Sequence, residues 1–251
     1  LYQYGKKLPF AYVGEVFGTG IIGGMEIDMN IKVKWKKKIG ALICALSVVS
    51  GSVNAYACTA FYVGRQVSAD GSVMLARTED TVSACNKLFV VHEAKDHKEG
   101  DMYKDAFGFT MEYPKHTYRY SEVCNSDREG IGKAPYGEAG FNELGLAATS
   151  TVTAYPSEAA LAVDPLVKTG LHELSANDVI LSCAATAREA IELVADIIDK
   201  HGSGEGNIIM VADMNEAWYM EILSGHQYVA VKMPEDKIAV IPNNYMLNTV
   251  D

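Results

Sequence analysis

The sequence is poor in the residues that organise small stapled folds. Of 251 residues, 5 are cysteine, 7 are proline and 2 are tryptophan. No C-x-x-C pair occurs, which leaves a zinc ribbon or a thioredoxin-type site unsupported. The scarcity of proline argues against a disordered or low-complexity chain. Basic charge is also scarce. Net charge is −10 overall, and residues 58–251 carry 15 basic and 29 acidic side chains, a net of −14. Such a chain is ill suited to nucleic acid, whose binding rests on counterion release, or to an anionic membrane surface. What is present is a 49% hydrophobic share, enough for one large domain with a core that needs no disulfides.

The N-terminal region divides by composition. Residues 1–28 carry no recognisable element and read as an upstream extension outside the functional protein. Residues 29–57 read as a secretory signal: Lys32, Lys34, Lys36, Lys37 and Lys38 form a basic stretch, and Ile39 to Val49 an apolar run too short to span a bilayer. Ala55-Tyr56-Ala57 then sets small residues at the −3 and −1 positions before Cys58. The expectation is an exported protein, periplasmic or extracellular, with no membrane segment in its mature part. Export implies an oxidising compartment, where a Cys85–Cys124 bridge and two free thiols are both open.

Strand signals open the mature chain. Thr59 to Gly64 and Val73 to Arg77 flank Ser68-Ala69-Asp70-Gly71, a hairpin signal, and Leu88 to His92 follows as a third strand. Residues 93–140 read as polar and irregular, and Leu146 to Thr153 as a strand. Two capping boxes, Ser175-Ala176-Asn177-Asp178 and Thr186-Ala187-Arg188-Glu189, predict helices. The second opens a helical-period run of Ala190, Ile191, Val194, Ile197 and Ile198, closed by Gly202. Asn207 to Ala212, Ala217 to Leu223, His226 to Lys232 and Lys237 to Ile241 read as four strands. Strands, then helices, then strands predict an α+β domain over 58–251, with antiparallel sheets against helices rather than alternating βαβ units.

Cleavage after Ala57 would put a thiol and a free α-amine on Cys58. An unperturbed α-amine has a pKa of roughly 8 and can act as general base for its own side chain. Two other readings stay open: a lipid anchor on Cys58, and a buried structural cysteine. Folding the hairpin about residues 69–71 brings Arg77-Thr78-Glu79-Asp80 beside Cys58. A cation beside a thiol favours the thiolate, and a carboxylate can orient the amine. Arg77 and Asp80 lie three apart, so both reach Cys58 only where the strand ends or bulges; a surface ion pair is the alternative.

These segments resemble a known family. Cys58-Thr59-Ala60-Phe61, Asp70-Gly71-Ser72 and Ala76-Arg77-Thr78-Glu79-Asp80 are similar to the start of bacterial secreted dipeptidases with an N-terminal cysteine nucleophile, relatives of choloylglycine hydrolases and penicillin V acylases. The likeness continues through Asn142-Glu143-Leu144-Gly145, Gly206-Asn207-Ile208, Ala217-Trp218-Tyr219-Met220-Glu221 and Pro242-Asn243-Asn244. It implies a four-layer αββα sandwich of the N-terminal-nucleophile hydrolases, two antiparallel sheets between helical layers, of which 58–251 is the N-terminal part. It implies a catalytic centre of Cys58, Arg77 and Asp80, with Asn243 holding the oxyanion and Asn244 as the neighbouring choice. A second acylase asparagine falls near Thr151 or Val152 here, so Thr149, Ser150 and Thr151 are expected to offer hydroxyls or backbone N–H groups to substrate. The implied reaction is dipeptide hydrolysis through a thioester, with no cofactor or metal required. Small amides of the bile-salt or penicillin V type are the alternative substrates, and a homo-oligomer is compatible with the sequence.

Other motifs are weaker. His92-Glu93-Ala94-Lys95-Asp96 lacks the last histidine of a zinc-protease motif, and His92 and His97 read as part of a solvated face. Trp218 and Tyr219 read as core. His172 and His226 have no visible partner for acid–base work.

Overall fold

Residues 58–79, 87–125, 136–152 and 154–247 are described in a computed structural model. The expected leader, Asp80 and Cys85 lie outside these residues. In chain order the first strands are β1 (Thr59–Val63), β2 (Met74–Thr78), β3 (Lys87–His92), β4 (Lys95–Asp96), β5 (Met102–Lys104), β6 (Thr110–Glu112) and β7 (His116–Thr117). Next come β8 (Tyr120–Asn125), β9 (Tyr136–Asn142) and β10 (Ala147–Val152), then helices α1 (Glu158–Val163), α2 (Glu173–Cys183) and α3 (Ala187–His201). The last strands are β11 (Asn207–Ala212), β12 (Ala217–Ile222), β13 (Tyr228–Lys232) and β14 (Ile238–Pro242). Residues 93–140, expected to be irregular, hold several short strands together with β8 and most of β9. Their polar composition hid them: β4 is exposed at both residues, and β8 and β9 bury the polar Ser121, Glu122 and Glu138.

The β1–β2 hairpin forms as predicted. Gly71 takes φ of 76°, which a side chain would resist, and Asp70 Oδ1 accepts bonds from the Ser72 N–H and hydroxyl at 3.0 and 2.6 Å. β14 lies on the other side of β1, giving a three-stranded sheet β14-β1-β2. A seven-stranded sheet runs β13-β12-β11-β10-β9-β8-β3. Every pair of named strands is antiparallel. The helices fall in the connection between β10 and β11, which are neighbours in the sheet, so the expected order of strands, helices and strands holds.

The core explains the layering. β11 and β12 are buried at every residue, so both faces of the large sheet's centre are covered. Ile209, Val211, Trp218, Met220 and Ile222 join the apolar faces of α2 and α3 in one cluster. The alternate residues, such as Ile208, Met210 and Tyr219, are also buried and point to the opposite face, toward the small sheet. Two antiparallel sheets and a helical layer on one side are thus present, as expected. Among the described residues the second helical layer is not seen, and Met74, Ile238 and Val240 on the small sheet's outer face are exposed.

Helix α3 follows its sequence pattern. Ala190, Ile191, Val194, Ile197 and Ile198 are its buried stripe, and Thr186 Oγ1 caps the Glu189 N–H at 3.2 Å. The other capping box is corrected. Helix α2 starts at Glu173, with His172 as N-cap residue, so Ser175 to Asp178 lie inside it. Ser175 Oγ donates to Asp105 at 2.9 Å and Asp178 accepts from two tyrosines, partners distant in sequence that no local pattern announces.

Candidate active site

Hairpin register assembles the site. Thr59 pairs with Thr78, and Ala60 with Arg77, so Arg77 stands diagonally from Cys58 on the same face of the small sheet. Its Nη2 donates to Cys58 Sγ at 3.3 Å. On the other side Thr59 pairs with Pro242, which brings Cys58 and Asn243 to the next position along the two strands. Asn243 Oδ1 accepts a bond from Thr151 Oγ1 at 2.8 Å, which fixes the orientation of its amide. Cys58, Arg77 and Asn243, spread over most of the described chain, therefore converge. Asp80 cannot be placed, since it lies outside the described residues.

Arg77 is held by a break in the large sheet. Pairing between β9 and β10 ends at Ala139 and Thr149. The next residues, Glu138 and Ser150, leave their carbonyls facing a fork, and Arg77 Nη1 donates to both. Beyond the fork the same nitrogen lies 3.6 Å from Glu173 Oε1 in the first turn of α2, an ion pair with both side chains less than one-tenth exposed. Asn177 Nδ2 closes the helical side of the fork, donating to Gly137 O at 3.2 Å and Ser150 Oγ at 3.0 Å. The guanidinium thus meets two carbonyls, a carboxylate and a sulfur, the fan of acceptors that a planar five-donor group can serve. Beside it Glu79 meets Lys87, which also reaches Glu138 at 3.1 Å.

The residues expected to contact substrate divide by strand alternation. Thr149 and Thr151 face the small sheet: Thr149 Oγ1 donates to Glu138 O at 3.1 Å, and Thr151 holds Asn243. Ser150 turns its hydroxyl to Asn177 on the helical side and gives the site its carbonyl instead. Asn244 is exposed, and its N–H donates to Pro242 O at 2.7 Å in the bend that carries Asn243 outward. A groove of about 270 Å³ opens alongside, bounded by Leu75, Arg77, Phe89, Phe141 and Thr149. Glu173, Glu138 and Asn177 were not read from the sequence. Their roles depend on the fork, which no local signal marks.

A second polar group lies on the helical side, and it corrects the reading of the histidines as a solvated face. His97 is nearly covered, stacked on Tyr113 with ring centroids 4.0 Å apart. His92 stacks on Tyr120 at 4.3 Å, and its Nε2 lies 2.8 Å from Glu122 Oε1. That bond holds His92 above its ordinary pKa. Asp178 accepts from Tyr120 at 3.1 Å and Tyr103 at 3.4 Å, and burial with Glu122 beside it pushes its carboxyl well above the usual range. His226, read as lacking a partner, has Asp164 Oδ1 at 2.9 Å from Nδ1. Cys124 carries a free, buried thiol.

The model of peptidase family C69 matches residues 57–251. "Probable dipeptidase B" of Streptococcus pyogenes serotype M1 is 46% identical over 213 residues, covering 84% of this chain and 41% of that protein. "Probable dipeptidase" of Latilactobacillus sakei is 40% identical over 197 residues, 78% of this chain and 41% of that one. The chain therefore spans about two-fifths of the length of these curated relatives. Among solved structures, penicillin V acylase from Agrobacterium tumefaciens is 18% identical with a TM-score of 0.44, over 72% of this chain and 51% of that one.

Proposed function

The chain belongs to peptidase family C69, and from that premise we propose that it supplies the nucleophile-bearing part of an exported dipeptidase that uses Cys58 as nucleophile. The observation that carries the reading is the Arg77 N–H directed at Cys58 Sγ, with Asn243 at the adjoining strand position. The relatives named as dipeptidases support the substrate class.

In this reading, removal of the leader frees the Cys58 amine, which takes the thiol proton through a water. The sulfur attacks the carbonyl carbon of the dipeptide's amide bond. The guanidinium N–H is placed to hold negative charge on sulfur. The Asn243 amide, oriented by Thr151, donates to the oxyanion that forms, a contribution of about 3 kcal/mol for one such donor. The amine returns the proton to the leaving amino acid. Water then cleaves the thioester, releasing the second amino acid and restoring the thiol.

Two measurements on the exported protein test the reading. Intact mass and N-terminal sequence are expected to give a chain starting at unmodified Cys58; a lipid on Cys58 removes the proposed base. A panel of dipeptides and N-acyl amides is expected to show hydrolysis of dipeptides, lost in Cys58→Ala. Turnover of N-acyl amides alone would move the assignment to an acylase with the same chemistry.

A further inference from the structure

The cluster on the helical side of the large sheet has more acceptors than it has charge to balance them. His92 comes from β3, Glu122 from β8 and Asp178 from α2, and one ligand atom from each lies within 4.8 Å of the others. Glu122 is 1% exposed, and its Oε2 receives no hydrogen bond. The room for this carboxylate exists because residue 137 is glycine: a Cβ there would collide with Glu122 Oε2. Two desolvated carboxyl groups thus face one imidazole, and Lys87, the lysine of β3, is engaged by Glu79 and Glu138. A buried carboxylate oxygen without a donor costs free energy unless something positive meets it.

We propose that His92, Glu122 and Asp178 bind a divalent transition-metal cation of the Zn²⁺ class. One imidazole nitrogen and two carboxylate oxygens form a donor set that suits Zn²⁺ better than Ca²⁺, which takes oxygen ligands in larger number. Zinc bonds of about 2.0–2.2 Å require ligand atoms a little over 3 Å apart, a small contraction of this cluster. A divalent ion also matches the charge of two carboxylates. The surroundings resemble an outer shell: Tyr120 and Tyr103 donate to Asp178, and the stack on Tyr120 orients the His92 ring. His92 is one-third exposed, so an ion can enter from solvent and keep a water as its fourth ligand. Bound there, the ion ties α2 to β3 and β8. Its role is structural, independent of the dipeptidase reading.

The test uses the untagged chain carrying Cys58→Ser, which removes the partly exposed thiol as a competing ligand. After treatment with EDTA, ZnCl₂ is titrated by calorimetry, and bound metal is counted by elemental mass spectrometry. The expected result is one Zn²⁺ per chain, with the melting temperature raised by roughly 5–10 °C at a hundredfold excess over Kd. His92→Ala, at the partly exposed position, is expected to fold and to weaken binding on the order of 100-fold. Asp178→Asn should do the same. Absence of uptake, or uptake equal in the parent and in His92→Ala, overturns the proposal and leaves the two carboxyl groups sharing a proton.

Discussion

Helix α2 holds two buried polar groups that differ in one respect. At its first turn, Glu173 faces the Arg77 guanidinium, whose other partners are two carbonyls and the Cys58 sulfur. Five residues along, Asp178 faces Glu122 and a single histidine. The first group has a fixed cation among its acceptors. Among the described residues, the second sets two carboxyl groups against one histidine. A buried group built like the first sets geometry, whereas one built like the second is set up to receive a proton or a metal.

The largest effect expected concerns the first group's sulfur. Cys58→Ala should lower dipeptide turnover at least about 1,000-fold while the thermal melt stays within a few degrees, because the side chain is small, partly exposed and lies just before β1. Turnover that survives this change would remove Cys58 from the chemistry. Arg77→Ala should lose both activity and stability. It removes the cation facing Glu173 and the guanidinium bonds to two carbonyls, and breaking a buried pair in this way costs about 3–5 kcal/mol by denaturant melts. Arg77→Lys is not expected to restore turnover, since a single ammonium cannot span the fork and reach the sulfur. A lysine variant with parental kinetics would show that charge alone, not the guanidinium fan, is required.

Smaller effects sharpen the contrast at two groups whose polar atoms have several partners. Asn142 is 3% exposed; its Nδ2 donates to Leu181 O and Ala184 O, and its Oδ1 accepts from the N–H groups of Leu144 and Leu146. Asn142→Ala should cost about 2–3 kcal/mol in urea unfolding, since it leaves buried backbone groups at the end of α2 unpaired. Asp213 is the balanced counterpart of Asp178. Burial raises its pKa, but N–H bonds from Ala187, Glu216 and Asn215 outweigh that and leave it below the ordinary value. A folded-state pKa below the unfolded one adds stability that is present above pH 4 or so and lost as pH falls through the lowered value. Asp213→Asn should therefore flatten the acid limb of the stability profile, by about 1 kcal/mol after solvent screening. An unchanged acid limb would place that dependence in other carboxylates.

Much of the fold and part of the site were legible in the residues. The Asp70-Gly71 turn, the apolar stripe of α3, its Thr186 cap and the run of strands from Asn207 to Ile241 are encoded within a few residues of where they act. Cys58 and Arg77 were readable together because a hairpin of known turn sets its own register. The starts of α2 and β8 were not readable in the same way. Ser175 and Asp178 look like capping residues until Asp105, Tyr103 and Tyr120 arrive from distant segments. The polar stretch before β9 pairs only once the large sheet exists.

Sequence alone determined much of the local order of this protein: the first hairpin, the strands from Asn207 onward, the long amphipathic helix, and a cysteine before β1, an arginine in β2 and an asparagine after β14. Tertiary structure decided what those residues meet. The ladder between β9 and β10 stops after Thr149 and Ala139, and the carbonyls of Glu138 and Ser150 turn to a guanidinium carried by the other sheet. Likewise, Gly137 leaves the space in which Glu122 is buried beside Asp178 and His92. Both outcomes depend on contacts between segments far apart in the chain. Propensity and periodicity act over a few residues, so they carry no information about which distant partner fills a fork or crowds a carboxylate.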